Sequence, residues 1–556
     1  MFNLDQRILE WRRQMLAAGI KTPVPLDELE NHLCEEIEQQ MAFGLNEEAA
    51  FDCAAQKIGQ AHALENEFKK VGEANPLSDR DSSARWHYPL LVLAWNTTAG
   101  LYFLPGKPSF CLIMILVSLF ASVLACIMNR SGKFISVPSV TWPLLFISAV
   151  VLATAMLTGG TGGGRYVVLL VAVLGYFALA AQRIPIGKAD LYVKLFFLGA
   201  LSAAVASLAL VIGPAFYSVF YILPADAFTT GSVADLPRFG GLALASAAVI
   251  ALLLARYGLR GIFNSGKYWR LLAFCFFAVL SLLGGYRFLV FDLALLCFLM
   301  FCLEGLFRAR VVGAVVVAAV LAALLVVPFA NKLPRSMQRS LSFLPFHLDK
   351  GVVSNARETT HWRMNTWKEV WPQVPRHLVL GKGLGPDAGW VWQILRDEAS
   401  RGSDIAAIAL AAGEAHNLPG KFPQIFQNES NQANDSGALA IAMGDCRNGP
   451  LSVLLPFGLA GLIGFVWFLV ASGRVLYRNY KLGDPALLQT NRCLYALFIT
   501  KAVMFFFVVG SFYTDMVYFV GFVGLSIALN GGACSPGEDS ATSRPVLVNK
   551  LKLASG

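Results

Sequence analysis

The chain has 556 residues, of which 56% are hydrophobic and only 15% charged, and its mean hydropathy is +0.57. That balance excludes an ordinary soluble globular protein. The net charge of +9 does not point to nucleic acid as a partner, because the basic residues flank apolar runs and gather on no aromatic-studded face.

Residues 1–72 read as a small helical domain, charged and amphipathic where a signal peptide would be apolar. In LDELENHLCEEIEQQMAFG, Leu26, Leu29, Leu33, Ile37 and Met41 recur at helical spacing, and Gly44 ends the helix as a C-cap. A further helix starts after the N-cap Asn46, carries Glu47 and Glu48 at its positive end, and stops at Gly59. Through the run GLNEEAAFDCAAQKIG this head resembles the HAAS-type helical domain that precedes membrane segments in various bacterial proteins. The resemblance implies a module that docks a cytoplasmic protein partner; a packing cap on the membrane part is the plainer alternative. Residues 73–87 are a polar linker.

About twelve apolar runs follow, each about as long as a helix needs to cross a hydrocarbon core of roughly 30 Å. They cover 88–104, 109–128, 138–157, 166–181, 193–213, 239–256, 269–286, 288–307, 311–330, 449–472, 493–512 and 516–530. The first is the weakest, since Asn96, Thr97 and Thr98 interrupt it. With the N-terminus in the cytoplasm and alternating sides, the inside connections carry Arg130 and Lys133, Arg183 and Lys188, Arg256 to Arg270, Arg308 and Arg310, and Arg474 to Arg492. The expected fold is therefore all-α: a polytopic helical membrane protein in contact with the lipid bilayer, with membrane helices over 88–330 and 449–530. Both termini are expected in the cytoplasm, the tail being 531–556, and residues 331–448 form a large loop on the outer side.

Within the large loop lie four of the seven histidines, His347, His361, His377 and His416, and one cysteine, Cys446, so it closes no internal disulfide. No spacing there or elsewhere resembles a metal site. The stretch ETTHWRMNTWKEVWPQVP predicts an amphipathic helix anchored at the membrane surface by Trp362, Trp367 and Trp371 and closed by Pro372 and Pro375. Arg363 on that helix suits either a lipid diphosphate, held bidentately, or an ordinary surface pair. Arg287, in LLGGYRFLVFD, stands between two apolar runs, a costly position that marks a functional site. Snorkelling, or pairing with Asp292, is the alternative. A polar knot, Asp445 to Pro450, sits on the start of the tenth run, whose Gly458, Gly461 and Gly464 read as a close-packing stripe with Pro456 able to kink it.

In their order, Arg287, RMNTW (Arg363 to Trp367), LVLGKGLG (Leu378 to Gly385) and RNGPLSVLLPFGLAGLIG (Arg447 to Gly464) resemble the bacterial O-antigen ligase and polymerase superfamily. The resemblance implies a transferase without metal or other cofactor, in the bacterial inner membrane. It would move a glycan from a polyprenyl diphosphate carrier to an acceptor glycan or glycolipid at the periplasmic face. Arg287, Arg363 and Arg447 are then the diphosphate-binding residues. The family's catalytic histidine falls where this chain has Arg447, and a guanidinium does not deprotonate. His416, in EAHNLPGK, Glu414 and Asp445 are the remaining candidates for the catalytic base. A polysaccharide transporter, or a catalytically silent relative that binds glycan lipid, is the alternative function.

Overall fold

The computed structural model of the chain describes residues 4–17, 23–58, 87–101, 108–128, 137–158, 163–181, 183–212, 216, 219, 222–223, 239–307, 313, 327–344, 348–384 and 448–534. Among these every regular element is a helix, and a lone antiparallel bridge joins Gly100 to Ser109. The chain forms two compact units, Met1–Trp86 and His87–Gly556.

The first unit holds α1 (Leu4–Ala17), α2 (Pro23–Ala42) and α3 (Glu47–Ile58). Leu33 and Ile37, two members of the predicted stripe, are buried against Trp11 and Met15 of α1 and Ala50, Phe51 and Ala54 of α3. Each large side chain buried this way contributes about 1.5–3 kcal/mol. Gly44 takes φ +93 and closes α2, its N–H donating to the Met41 carbonyl at 3.0 Å. Asn46 then opens α3 by accepting the Ala49 N–H on its Oδ1 at 2.9 Å. Lys57 reaches back to both carboxylate oxygens of Glu36 at 2.8 Å, and Arg12 pairs with Glu30, so one ion pair ties each flanking helix to α2.

Among the described residues of the second unit five helical stretches are long and apolar enough to cross a membrane: Pro138–Leu157, Ile186–Ala209, Gly240–Ile262, Gly449–Leu482 and Phe512–Asn530. Shorter apolar stretches cover Phe110–Leu124, Arg165–Ala180 and Trp269–Gly284. In chain order the helices are α4 (His87–Ala94), α5 (Phe110–Met128), α6 (Pro138–Leu157), α7 (Gly163–Ala180), α8 (Ala189–Leu198), α9 (Leu201–Ile212), α10 (Gly240–Ile262), α11 (Trp269–Ser281) and α12 (Arg287–Leu303). Then come α13 (Arg335–Ser340), α14 (Lys350–Val370), α15 (Gly449–Leu482), α16 (Leu488–Phe507) and α17 (Phe512–Asn530).

Several runs fold differently from a single apolar rod. The run 88–104 yields only the eight-residue α4, because Asn96 and Thr98 turn to bond their neighbours. The Asn96 amide donates to the Phe196 carbonyl at 2.8 Å, and the Thr98 N–H donates to Ser202 Oγ at 2.9 Å. Beyond α4, Trp95 is 4% exposed and fills a slot between α7 and α17. A Cβ on Gly175 or on Gly521 would stand 2.5 or 2.2 Å from its indole, so neither position tolerates a methyl group. The run 311–330 lies largely outside the described residues.

Glycines break two helices. In α10, Gly258 takes φ +63 and ψ 179, and the two N–H groups this frees, on Leu259 and Arg260, donate to the Glu304 carboxylate at 2.8 and 2.9 Å. In α15, Gly458 takes φ +62 and ψ −162. There the freed Leu455 and Pro456 carbonyls accept the N–H groups of Lys382 and Gly383, both at 2.9 Å, and Leu459 N–H donates to the Leu378 carbonyl. The LVLGKG turn of the large loop thus completes the backbone of the broken helix. In an apolar surround each such group left unsatisfied would cost several kcal/mol.

At the far end of α15 buried amides join three helices. Asn491 donates to the Asn479 carbonyl at 3.0 Å and to Asn530 Oδ1 at 2.9 Å, while Asn530 returns a bond to Asn491 Oδ1 at 2.9 Å. Asn479 and Asn491 are fully enclosed, so the amides are satisfied by one another and by backbone, not by water.

Candidate functional site

A cavity of about 840 Å3 lies where α12, α16 and α17 meet the loop helices α13 and α14. The sequence builds each part of its wall for a separate local reason. Ahead of α12, Gly285 adopts the left-handed conformation at φ +67 and turns the chain sharply, which sets Arg287 as the first residue of the helix. A cation at the positive end of a helix opposes the helix dipole. Arg287 therefore does not stabilise α12, and it turns instead to the loop. Its Nη2 donates to the Ala356 carbonyl at 3.1 Å and to Thr360 Oγ1 at 3.2 Å, rather than pairing with Asp292.

Asp349 opens α14 by accepting the Gly351 N–H at 2.8 Å. Thr359, Thr360, Arg363, Met364 and Trp367 then line the cavity from this helix, spaced so that one face carries all five. His361 lies on another face of the helix, in a separate shallow pocket with Arg357 and Glu358. The predicted helix end is reproduced: α14 stops at Val370 and Pro372 begins a 3-10 turn over Trp371–His377. Trp367 does more than anchor a surface, since it lines the cavity and packs beside Val370, Val374, Leu451 and Leu455. Trp371 is 66% exposed.

The remaining cations come from α13 and α16. Arg339, 4% exposed, donates from Nη2 to Thr359 Oγ1 at 3.2 Å. Its helix is braced by Ser340 Oγ, which donates to the Leu282 carbonyl at 2.8 Å. Lys501 on α16 is paired at 3.0 Å with Asp515, in the first turn of α17, and its ammonium lies 4.9 Å from the Tyr518 ring centroid. The Asp515 carboxylate also accepts the Ser511 N–H at 2.9 Å. Ser511 Oγ is buried at the cavity wall with no hydrogen-bond partner among the described residues.

Among the described lining residues there are thus four cations, Arg287, Arg339, Arg363 and Lys501, against one carboxylate, Asp515. Phe288, Phe291, Phe343, Leu244 and Val508 supply the apolar part, with the Phe291 and Phe343 rings 4.6 Å apart. A lining with this excess of cations beside aromatic rings suits a ligand that carries both negative charge and apolar surface. It lies at the end of the bundle where α10, α12 and α17 start. The other ends of these helices adjoin the basic connections, around Arg256 and Arg260 and between Arg474 and Arg492.

Of the residues singled out in sequence, Arg287 and Arg363 line one cavity. Arg447, His416, Glu414 and Asp445 lie outside the described residues. Sequence reasoning missed Arg339, for which no signal separates it from the loop's other arginines, and missed Lys501, inside the eleventh apolar run, and Asp515, just ahead of the twelfth. Two ionisable groups fourteen positions apart, on either side of a tight turn, are the pattern that would have found the latter pair. No family model matches the chain, and no curated protein is significantly similar to it.

Proposed function

We propose that this chain is a membrane glycosyltransferase of the O-antigen ligase and polymerase type. It takes a glycan from a polyprenyl diphosphate carrier and passes it to an acceptor glycan or glycolipid at the periplasmic face of a bacterial inner membrane. The observation that carries this is the single cavity that Arg287 and Arg363 line together with Phe288, Phe291 and Phe343. Cleaving a glycosyl diphosphate leaves negative charge on the departing diphosphate, and fixed guanidiniums stabilise that charge as it develops. The phenylalanines suit the first isoprene units of the carrier.

In this proposal about twelve helices cross the membrane, with both termini in the cytoplasm and residues 331–448 on the outer side. Residues 1–72 are then free to meet a cytoplasmic protein partner. Broken helices favour a transporter in other membrane proteins. Here neither Gly258 nor Gly458 lines the cavity, and the groups freed at each break are bonded within the protein.

The test is deletion of the gene followed by analysis of surface polysaccharide, together with transfer by the purified protein in nanodiscs. Loss of long chains marks polymerisation, and unattached chains on the lipid carrier mark ligation. An unchanged glycan profile with no transfer in vitro overturns the proposal.

A further inference from the structure

We infer that Asp515 is the proton acceptor for the attacking hydroxyl of the acceptor. The inference rests on the transferase function proposed above and deepens it. Glycosyl transfer to a hydroxyl forms a bond between the acceptor oxygen and the anomeric carbon. The bond from that carbon to the diphosphate oxygen breaks, its electron pair leaving on the diphosphate, and the hydroxyl proton must go to a base. Arginine cannot take it. Among the described lining residues Asp515 is the carboxylate, and no histidine joins it: His361 and His377 are both on α14 or the turn beyond it, outside the cavity wall.

Asp515 is placed for the task. It is 6% exposed and belongs to the lining of the cavity. Its two oxygens are held by Lys501 Nζ at 3.0 Å and by the Ser511 N–H at 2.9 Å. A carboxylate has about four acceptor positions, so these bonds fix its direction and leave room for a hydroxyl.

The ion pair with Lys501 gives the arrangement a link to substrate binding. Lys501 lines the same cavity as the three arginines, so an incoming diphosphate competes for its ammonium. When the ammonium moves toward the diphosphate, the carboxylate is released from its ion pair at the place where the proton must land. Proton acceptance is thereby coupled to an occupied carrier site, and an empty site keeps the carboxylate engaged.

Asp515→Asn keeps the shape and the Ser511 bond but cannot accept a proton. With the full-length protein in nanodiscs, undecaprenyl diphosphate as the binding probe and the carrier-linked glycan as donor, the variant is expected to bind the probe within about fivefold of wild type. Its transfer rate is expected to fall by about 100-fold or more, the usual size of a general-base contribution. Transfer within tenfold of wild type overturns the inference. If Asp515 merely neutralises Lys501, Asp515→Asn changes probe affinity along with transfer; if Asp515 is the base, affinity is kept and the rate alone falls. Absence of transfer by the wild-type protein would instead remove the proposed function itself, which separates the two failures.

Discussion

The Val379 carbonyl oxygen occupies the space that a side chain on Gly458 would need: a Cβ built there lies 2.4 Å from it. Loop and broken helix therefore meet backbone to backbone, with no side chain between them. Replacing Gly458 by alanine adds both a strained positive φ and a collision with the LVLGKG turn. The expected loss is roughly 2–5 kcal/mol, read as a lower thermal midpoint and as faster proteolysis within the large loop.

Arg287, Arg339 and Arg363 are expected to act together on an anionic headgroup. Each alanine variant should weaken undecaprenyl diphosphate binding by about 10- to 100-fold, the equivalent of one or two charge-assisted hydrogen bonds. Lysine should restore only part of that, because it lacks the planar fork. Titration in nanodiscs checks this, and unchanged affinity in all three variants would remove the diphosphate assignment.

Glu304 serves a different end. Its carboxylate takes the Leu259 and Arg260 N–H groups released at Gly258, and Gln489 Nε2 donates to the same carboxylate at 3.1 Å. Glu304→Ala leaves those donors buried without an acceptor and is expected to cost about 2–4 kcal/mol. Because the change is remote from the cavity, probe affinity should stay near wild type at temperatures where the variant remains folded.

Asn491→Ala removes two donated bonds and the acceptor of a third from the junction of α15, α16 and α17. A loss of about 1–3 kcal/mol is expected. The measurement is the thermal midpoint, and Asn491→Asp, which keeps an acceptor but removes both donors, should recover little of it.

In the head, the bond from Lys57, followed by that from Gln40, holds the Glu36 carboxyl below the usual carboxylate range. A group whose folded value is depressed adds stability above its unfolded value and loses it as pH falls through the folded one. Amide exchange in α3 should therefore be slower than in Glu36→Gln by a constant factor near neutrality, and that protection should fade only below about pH 4. A difference between the two proteins that grows toward alkaline pH would contradict this.

What could be read from the sequence divides along physical lines. Periodicity and caps are local, so the bounds of α3 and α6 and the stop of α14 before Pro372 were legible. Long-range bonds were not. Asn96 and Thr98 look like interruptions until Phe196 and Ser202 appear opposite them, and the glycines at 458, 461 and 464 look alike although the first is a chain break. Arg287 and Arg363 stood out because charge is costly between apolar segments. Arg339 did not, because among the arginines of a loop rich in them nothing in the sequence marks one that is enclosed.

The indole of Trp95, seated between Gly175 and Gly521, works as a key in a lock for rotation. Neither α7 nor α17 can turn about its own axis without driving backbone into the ring. Because α17 carries Asp515 and Tyr518, one wall of the cavity is immobilised from a point well below it. The facing wall is held otherwise: Arg287 bonds α14, Ser340 of α13 bonds the Leu282 carbonyl, and Trp367 and Val370 of α14 pack beside Leu451 and Leu455 of α15. In the proposed function the carrier diphosphate has to draw Arg287 away from Ala356 and Thr360 while the wall that bears Asp515 and Tyr518 stays fixed.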